Sequence, residues 1–189
     1  MYCPRHVILS AIVVGSLASA ARAYEFGRAA TPEEIKLWNI DVLPDGNGLP
    51  EGTGTVAHGK SVYEANCEAC HGPNGQGGIN DRLVGSQGTL ASNNPIKTIG
   101  SYWPYATTVF DYIRRAMPYP APGSLSAGDT YAVTAYLLSL NGILPDDATL
   151  DKKSLPKIRM PNRDGFIPDQ VFKVDDEPRS NGPCANPGP

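Results

Sequence analysis

The chain has 189 residues, with 16 Lys+Arg against 19 Asp+Glu and a formal net charge of −3. That length suits one compact domain with extensions, and the acidic balance argues against nucleic acid or an anionic membrane surface as a partner. No apolar run approaches the roughly 20 residues that a membrane span needs.

The first residues carry a different signal. Arg5 and His6 precede an apolar run from Val7 to Ala18, and Ala21 and Ala23 stand at the spacing of a small-residue cleavage site. This is the pattern of a secretory signal peptide over residues 1–23, cleaved between Ala23 and Tyr24 and leaving no membrane anchor. Cleavage removes Arg5 and Arg22 but no acid, so 14 basic residues remain against 19 acidic ones, a balance of −5. Cys3 leaves as well. The mature chain keeps Cys67, Cys70 and Cys184, an odd number for an oxidising compartment.

Residues 24–54 read as an N-terminal extension. Thr31 caps a short helix in "TPEEIKLWNI", Pro32 suits its first position, and Glu34 completes a capping box. The following "DVLPDGNGLPEGTG" is too rich in glycine and proline to be regular. Residues 55–142 hold the helical core. Gly59 to Cys70 reads as one helix running into the glycine-rich "HGPNGQGG". Trp103 to Met117 reads as another, with Pro104 near its start, a stripe of Val109, Phe110, Ile113 and Met117, and Pro118 as its stop. In the third, Ser126 caps, Asp129 stands in the first turn, and Val133, Tyr136, Leu137 and Leu140 recur before Asn141-Gly142 ends it. No segment shows strand alternation, so the expected class is all-α, and residues 143–189 read as an irregular C-terminal extension.

The chemistry concentrates in "CEACH". Helical positions i, i+3 and i+4 share a face, which turns Cys67, Cys70 and His71 to one side. Two thiols can form thioethers with the vinyl groups of a haem while the imidazole reaches its iron, and Cys-x-x-Cys-His is the attachment signature of c-type haem. A thioredoxin-like pair needs a strand and a βαβ frame that are not readable here. A zinc site needs a second pair of ligands, and only the isolated His58 and Cys184 remain. A Cys67–Cys70 disulfide is sterically poor within a helix. A haem also gives a core of about 90 residues a large apolar plate to pack against. The sixth ligand decides the chemistry, since a thioether opposite histidine raises the reduction potential and suits electron transfer. Met117, where a helix breaks at "RRAMPYPAPG", is favoured. Met160 in "KIRMPNRDG" and an open position remain alternatives, with core packing the bland reading of either methionine. His58 reads as a solvated residue, and Cys184 lies too near the end to be favoured.

Helix, haem motif, methionine loop and closing helix together resemble the class I cytochrome c family over about residues 55–142. The resemblance implies that the first and last helices cross, with Tyr63 meeting the closing helix around Tyr131 and Ala135. A narrower likeness covers nearly the whole mature chain. "ATPEEIKLWNIDVLPDGNGLPEGTG", "IGSYWPYATTVFDYIRRAMPYPAPGSLS", "YAVTAYLLSLNGI" and "MPNRDGFIPD" resemble the cytochrome subunits of bacterial sulfur-compound dehydrogenases, those of sulfite dehydrogenase and Sox sulfane dehydrogenase. It implies a periplasmic, non-catalytic subunit with one covalent haem c. That subunit takes electrons from a separate molybdenum-containing sulfite or sulfur dehydrogenase subunit and passes them to an acceptor such as a small cytochrome c. Cys67, Cys70 and His71 then attach the haem and Met117 completes it. Trp103 and Tyr102 would hydrogen-bond a propionate, with Arg82 or Lys97 as counter-charges; their bland reading is core aromatics and a solvated face. The chain departs from the family where many members place a proline after the motif, since Ile79 and Asn80 stand there instead. Its single haem motif also differs from the longer two-haem chains common among Sox partners. "MPYPAPG" would make a docking rim, with Arg114 and Arg115 steering an acidic patch. The basic stretch from Asp151 to Arg163 would pair with the protein's own surface or with a partner. A free-standing electron shuttle and a thiosulfate-converting haem enzyme are the competing functions.

Overall fold

The structure, a computed structural model, describes residues 27–167. The signal segment and Cys184 lie outside the described residues. The chain divides into two compact units, the first ending at Ile40 and the second beginning at Asp41. In the first, helix α1 (Pro32–Trp38) forms the expected capping box: Glu34 N–H donates to Thr31 Oγ1 at 3.2 Å, and Thr31 N–H to Glu34 Oε2 at 2.9 Å. Arg28 Nη1 also donates to Glu34 Oε2 at 2.7 Å. The helix buries no residue, and Ile35, Leu37 and Trp38 are exposed.

The second unit is helical around one central element. Strand β1 (Thr53–Thr55) runs straight into α2 (Val56–Asn66), because Thr55 serves as N-cap and its side chain accepts from His58 N–H at 3.1 Å. The expected continuous helix to Cys70 is interrupted. At Cys67 the backbone leaves helical values (φ −124°, ψ −35°), and a single turn, α3 (Glu68–His71), follows. The Cys67 carbonyl accepts from both Cys70 N–H (3.1 Å) and His71 N–H (3.0 Å). Gly72 then turns away at φ +81°, a conformation that favours glycine.

Helix α4 (Ala106–Ala116) starts later than the sequence predicts. Trp103 precedes a proline, which disfavours the helical region, and Tyr105 is extended, forming an antiparallel bridge with Arg159. Met117 is the extended C-cap, also directly before a proline. Helix α5 (Ala127–Leu140) is capped as expected, Asp129 N–H donating to Ser126 Oγ at 3.1 Å. Every residue from Thr130 to Leu138 is buried, so α5 is the post around which the rest packs. Helix α2 crosses it closely because Gly59 lies against the backbone of Ala132, where Gly54 of β1 also packs. Tyr63 meets Tyr136, with ring centroids 5.4 Å apart, whereas Tyr131 is turned to Phe110 of α4 at 4.5 Å. The contact falls beside the expected Ala135, one residue along the closing helix, while Tyr131 takes Phe110 as its partner instead.

The chain beyond α5 returns to the core. Strand β2 (Thr149–Asp151) pairs antiparallel with β1 in the register Thr53↔Asp151, Gly54↔Leu150 and Thr55↔Thr149. This small sheet is the one addition to the all-α expectation among the described residues, and three-residue strands are too short to show alternation. Leu155 and Met160 are fully buried. Met160 therefore packs in the core, as the bland reading of that methionine has it.

Candidate haem site

The site builds outward from the motif. Cys67 and Cys70, each partly buried, stand on the break and turn that end α2 and form no disulfide. Burial, with the neighbouring Cys70 second, pushes the Cys67 thiol up to about 11. His71 Nδ1 lies 2.7 Å from the backbone carbonyl of Asp81. With Nδ1–H donating there, Nε2 is the nitrogen left to ligate a metal. Asp81 directly follows Ile79 and Asn80, and its backbone carbonyl orients the His71 ring. Tyr63 OH donates to the Gly72 carbonyl at 2.7 Å, tying the far end of the motif to α2.

These residues open onto a cavity of about 640 Å³, within the roughly 300–1,000 Å³ range of ligand and cofactor sites. Cys67, Cys70 and His71 line it with Met117. Leu83, Ile99, Val109, Ile113 and Leu137 supply much of its apolar wall. A c-type haem needs two thiols and an imidazole converging on an apolar slot that also holds a soft donor for a sixth ligand, and these residues fit it. No group of three or more His, Cys, Asp or Glu among the described residues is placed to hold a metal ion by itself.

The remaining candidates divide. Trp103 lines the cavity, its ring edge-on to Tyr112 at 5.7 Å. Arg82 and Lys97 also line it, both with exposed side chains. Tyr102 is not among the lining residues; its ring lies edge-on to Phe166 at 5.3 Å, and the Lys97 ammonium sits over it at 4.9 Å. Arg115 is already engaged: it pairs with the buried Asp111, and its Nη1 lies 3.1 Å from Asp41 Oδ1. Asp111 in turn accepts from Val42 N–H at 3.1 Å. His58, read as solvated, has its Nε2 2.7 Å from Asp129 Oδ1. Much of the basic stretch pairs internally, Lys152 with Glu51, Arg159 with Asp164, and Arg163 over the Tyr105 ring at 3.9 Å.

One buried residue that the sequence marked only as a helix stop organises the wall. Asn141 Nδ2 donates to Leu137 O (2.8 Å) and Leu83 O (3.2 Å), and its Oδ1 accepts from Gly85 N–H (3.0 Å). It thereby fixes the loop that carries Leu83. A short amide after an apolar helix reads locally as a cap, and nothing nearby in the chain points to a loop more than fifty residues away.

The family model for cytochrome c matches residues 56–141, and the chain belongs to the class I cytochrome c family, carrying a covalently bound haem c. Among solved structures it is similar to a chain of the sulfane dehydrogenase SoxCD from Paracoccus pantotrophus, with 42% identity and a TM-score of 0.73, covering 88% of this chain and 83% of that one. Among curated proteins it is similar to a thiosulfate dehydrogenase of Stutzerimonas stutzeri, 32% identical over 113 residues. That match covers 59% of this chain and spans 35% of the relative's length. No helix among the described residues is long and apolar enough to cross a membrane.

Proposed function

We propose that this chain is the periplasmic haem subunit of a molybdenum-dependent sulfite or related sulfur-compound dehydrogenase, passing electrons to a downstream acceptor such as a small cytochrome c. The observation that carries this reading is the likeness to a SoxCD chain, which extends well beyond the cytochrome domain at both ends.

Cys67 and Cys70 would hold the haem through thioethers, and His71 Nε2 and the Met117 sulfur would ligate its iron. The haem supplies a one-electron store. The chain's own residues do the rest. Asp81 O fixes the His71 ring, so the ligand needs no reorientation when the charge of the site changes. Leu83, Ile99 and Leu137 give the cavity apolar walls, and an apolar site whose iron is ligated on both sides by the protein would favour electron transfer over ligand chemistry. Pro118, Tyr119 and Pro120 carry the cavity wall to the surface, Tyr119 being 80% exposed. A stiff, aromatic rim of this kind suits transient docking.

The test follows the haem band of the oxidised protein after sulfite or thiosulfate is added, with and without periplasmic extract from its source. Fast reduction only with extract is expected, and the sulfur compound that works names the substrate class. Fast reduction by the purified chain alone would make the haem a catalyst, the activity named for the thiosulfate dehydrogenase relative. No reduction in either sample would favour a free-standing shuttle.

A further inference from the structure

We propose that the segment from Arg159 to Phe166 is a strap that sets the haem environment, and that Asn162 is a positioning residue for the cavity wall. The segment lies beyond the matched cytochrome c domain, which ends at residue 141, yet four of its contacts fall on the short stretch 102–105. Arg159 bridges to the backbone of Tyr105, and Asn162 Nδ2 donates to the Tyr102 carbonyl at 2.8 Å. The Arg163 guanidinium lies over the Tyr105 ring, and Phe166 packs edge-on against Tyr102. Buried Met160 anchors the strap in the core, and Gly165 sits so close to Asn162 that a β-carbon there would meet its Oδ1 at 1.8 Å.

The stretch so held carries Trp103 on the cavity wall and, through the Tyr102 ring, seats the ammonium of Lys97, which also lines the cavity. The strap thus controls two levers on a haem potential, exclusion of water and a nearby positive charge. Oxidation adds a positive charge to the site, so withdrawing a cation and admitting water both favour the oxidised form.

The experiment uses the full, haem-loaded chain and rests on the haem assignment above. Absorption after denaturing extraction first establishes that haem is covalently bound; its failure would overturn that assignment, separately from the strap. Midpoint potential and thermal stability are then measured for Asn162→Ala, Phe166→Ala, Asn162→Gln and Val56→Ala. Val56 is a buried core residue outside the cavity wall. The potential is expected to fall in Asn162→Ala and Phe166→Ala, to recover in part in Asn162→Gln, and to stay at the parent value in Val56→Ala at a comparable loss of Tm. Strap variants that lower Tm and leave the potential at the parent value would reduce the segment to a structural cover and overturn the proposal.

Discussion

A β-carbon placed on Gly59 would stand 1.9 Å from the carbonyl oxygen of Ala132. Neither atom can move aside by a rotamer change, since one is backbone and the other is bonded directly to it. Helices α2 and α5 therefore cross at this height only while position 59 has no side chain, and the haem motif at the end of α2 is placed by that crossing.

Gly59→Ala tests it. In an isolated helix the change would stabilise by about 1 kcal/mol, whereas overpacking a core typically costs about 1–3 kcal/mol, with backbone clashes at the upper end. The clash is expected to win, lowering Tm by several degrees in a thermal melt. A rise in Tm would show that α2 slides freely on α5.

Removal of the proposed sixth ligand separates coordination from attachment. Met117→Ala leaves Cys67, Cys70 and His71 in place, so haem is expected to remain covalently bound. The midpoint potential should fall by on the order of tenths of a volt, within the roughly 0.8 V that axial ligands span. Spectroelectrochemistry gives the answer, and an unchanged potential would remove Met117 from the coordination sphere.

Acid stability should register Asp129. Hydrogen bonds from Ser126 and then His58 hold its carboxyl below the ordinary value. A carboxyl depressed in the folded state stabilises it above the unfolded pKa of about 3.9, and that contribution is lost as pH falls through the folded value. Asp129→Asn is expected to cost about 0.5–1 kcal/mol near neutrality from its place in the first turn of α5. The gap from the parent should close toward about pH 3. Urea unfolding at several pH values measures it, and a gap independent of pH would assign the cost to shape alone.

Asn141→Ala should loosen the wall at a distance. It leaves Gly85 N–H and one bond to the Leu83 carbonyl unmet, a loss of about 1–3 kcal/mol for buried groups. Amide exchange is expected to quicken over residues 83–87 more than in α5. Uniform quickening would instead mean that Asn141 acts only as a cap.

Much of this protein was legible along the chain because the relevant signals are local. Cys67, Cys70 and His71 lie within one turn, so their spacing alone brings them together, and the caps at Thr31 and Ser126 are satisfied by residues three positions away. Met117 could be singled out because a helix stops there before a proline. The rest depends on contacts across long separations, which local periodicity does not encode. The register of β1 on β2 joins residues nearly a hundred positions apart, and Tyr102 faces Phe166 instead of the cavity because the returning chain reaches it from the other side. Arg115 reads as an exposed helix cation until folding brings Asp41 alongside it. Met160 keeps a place beside Met117 as an alternative sulfur donor, because local sequence does not show which of the two the core buries. Packing separates them, burying the first in the core and placing the second on the wall of the haem cavity.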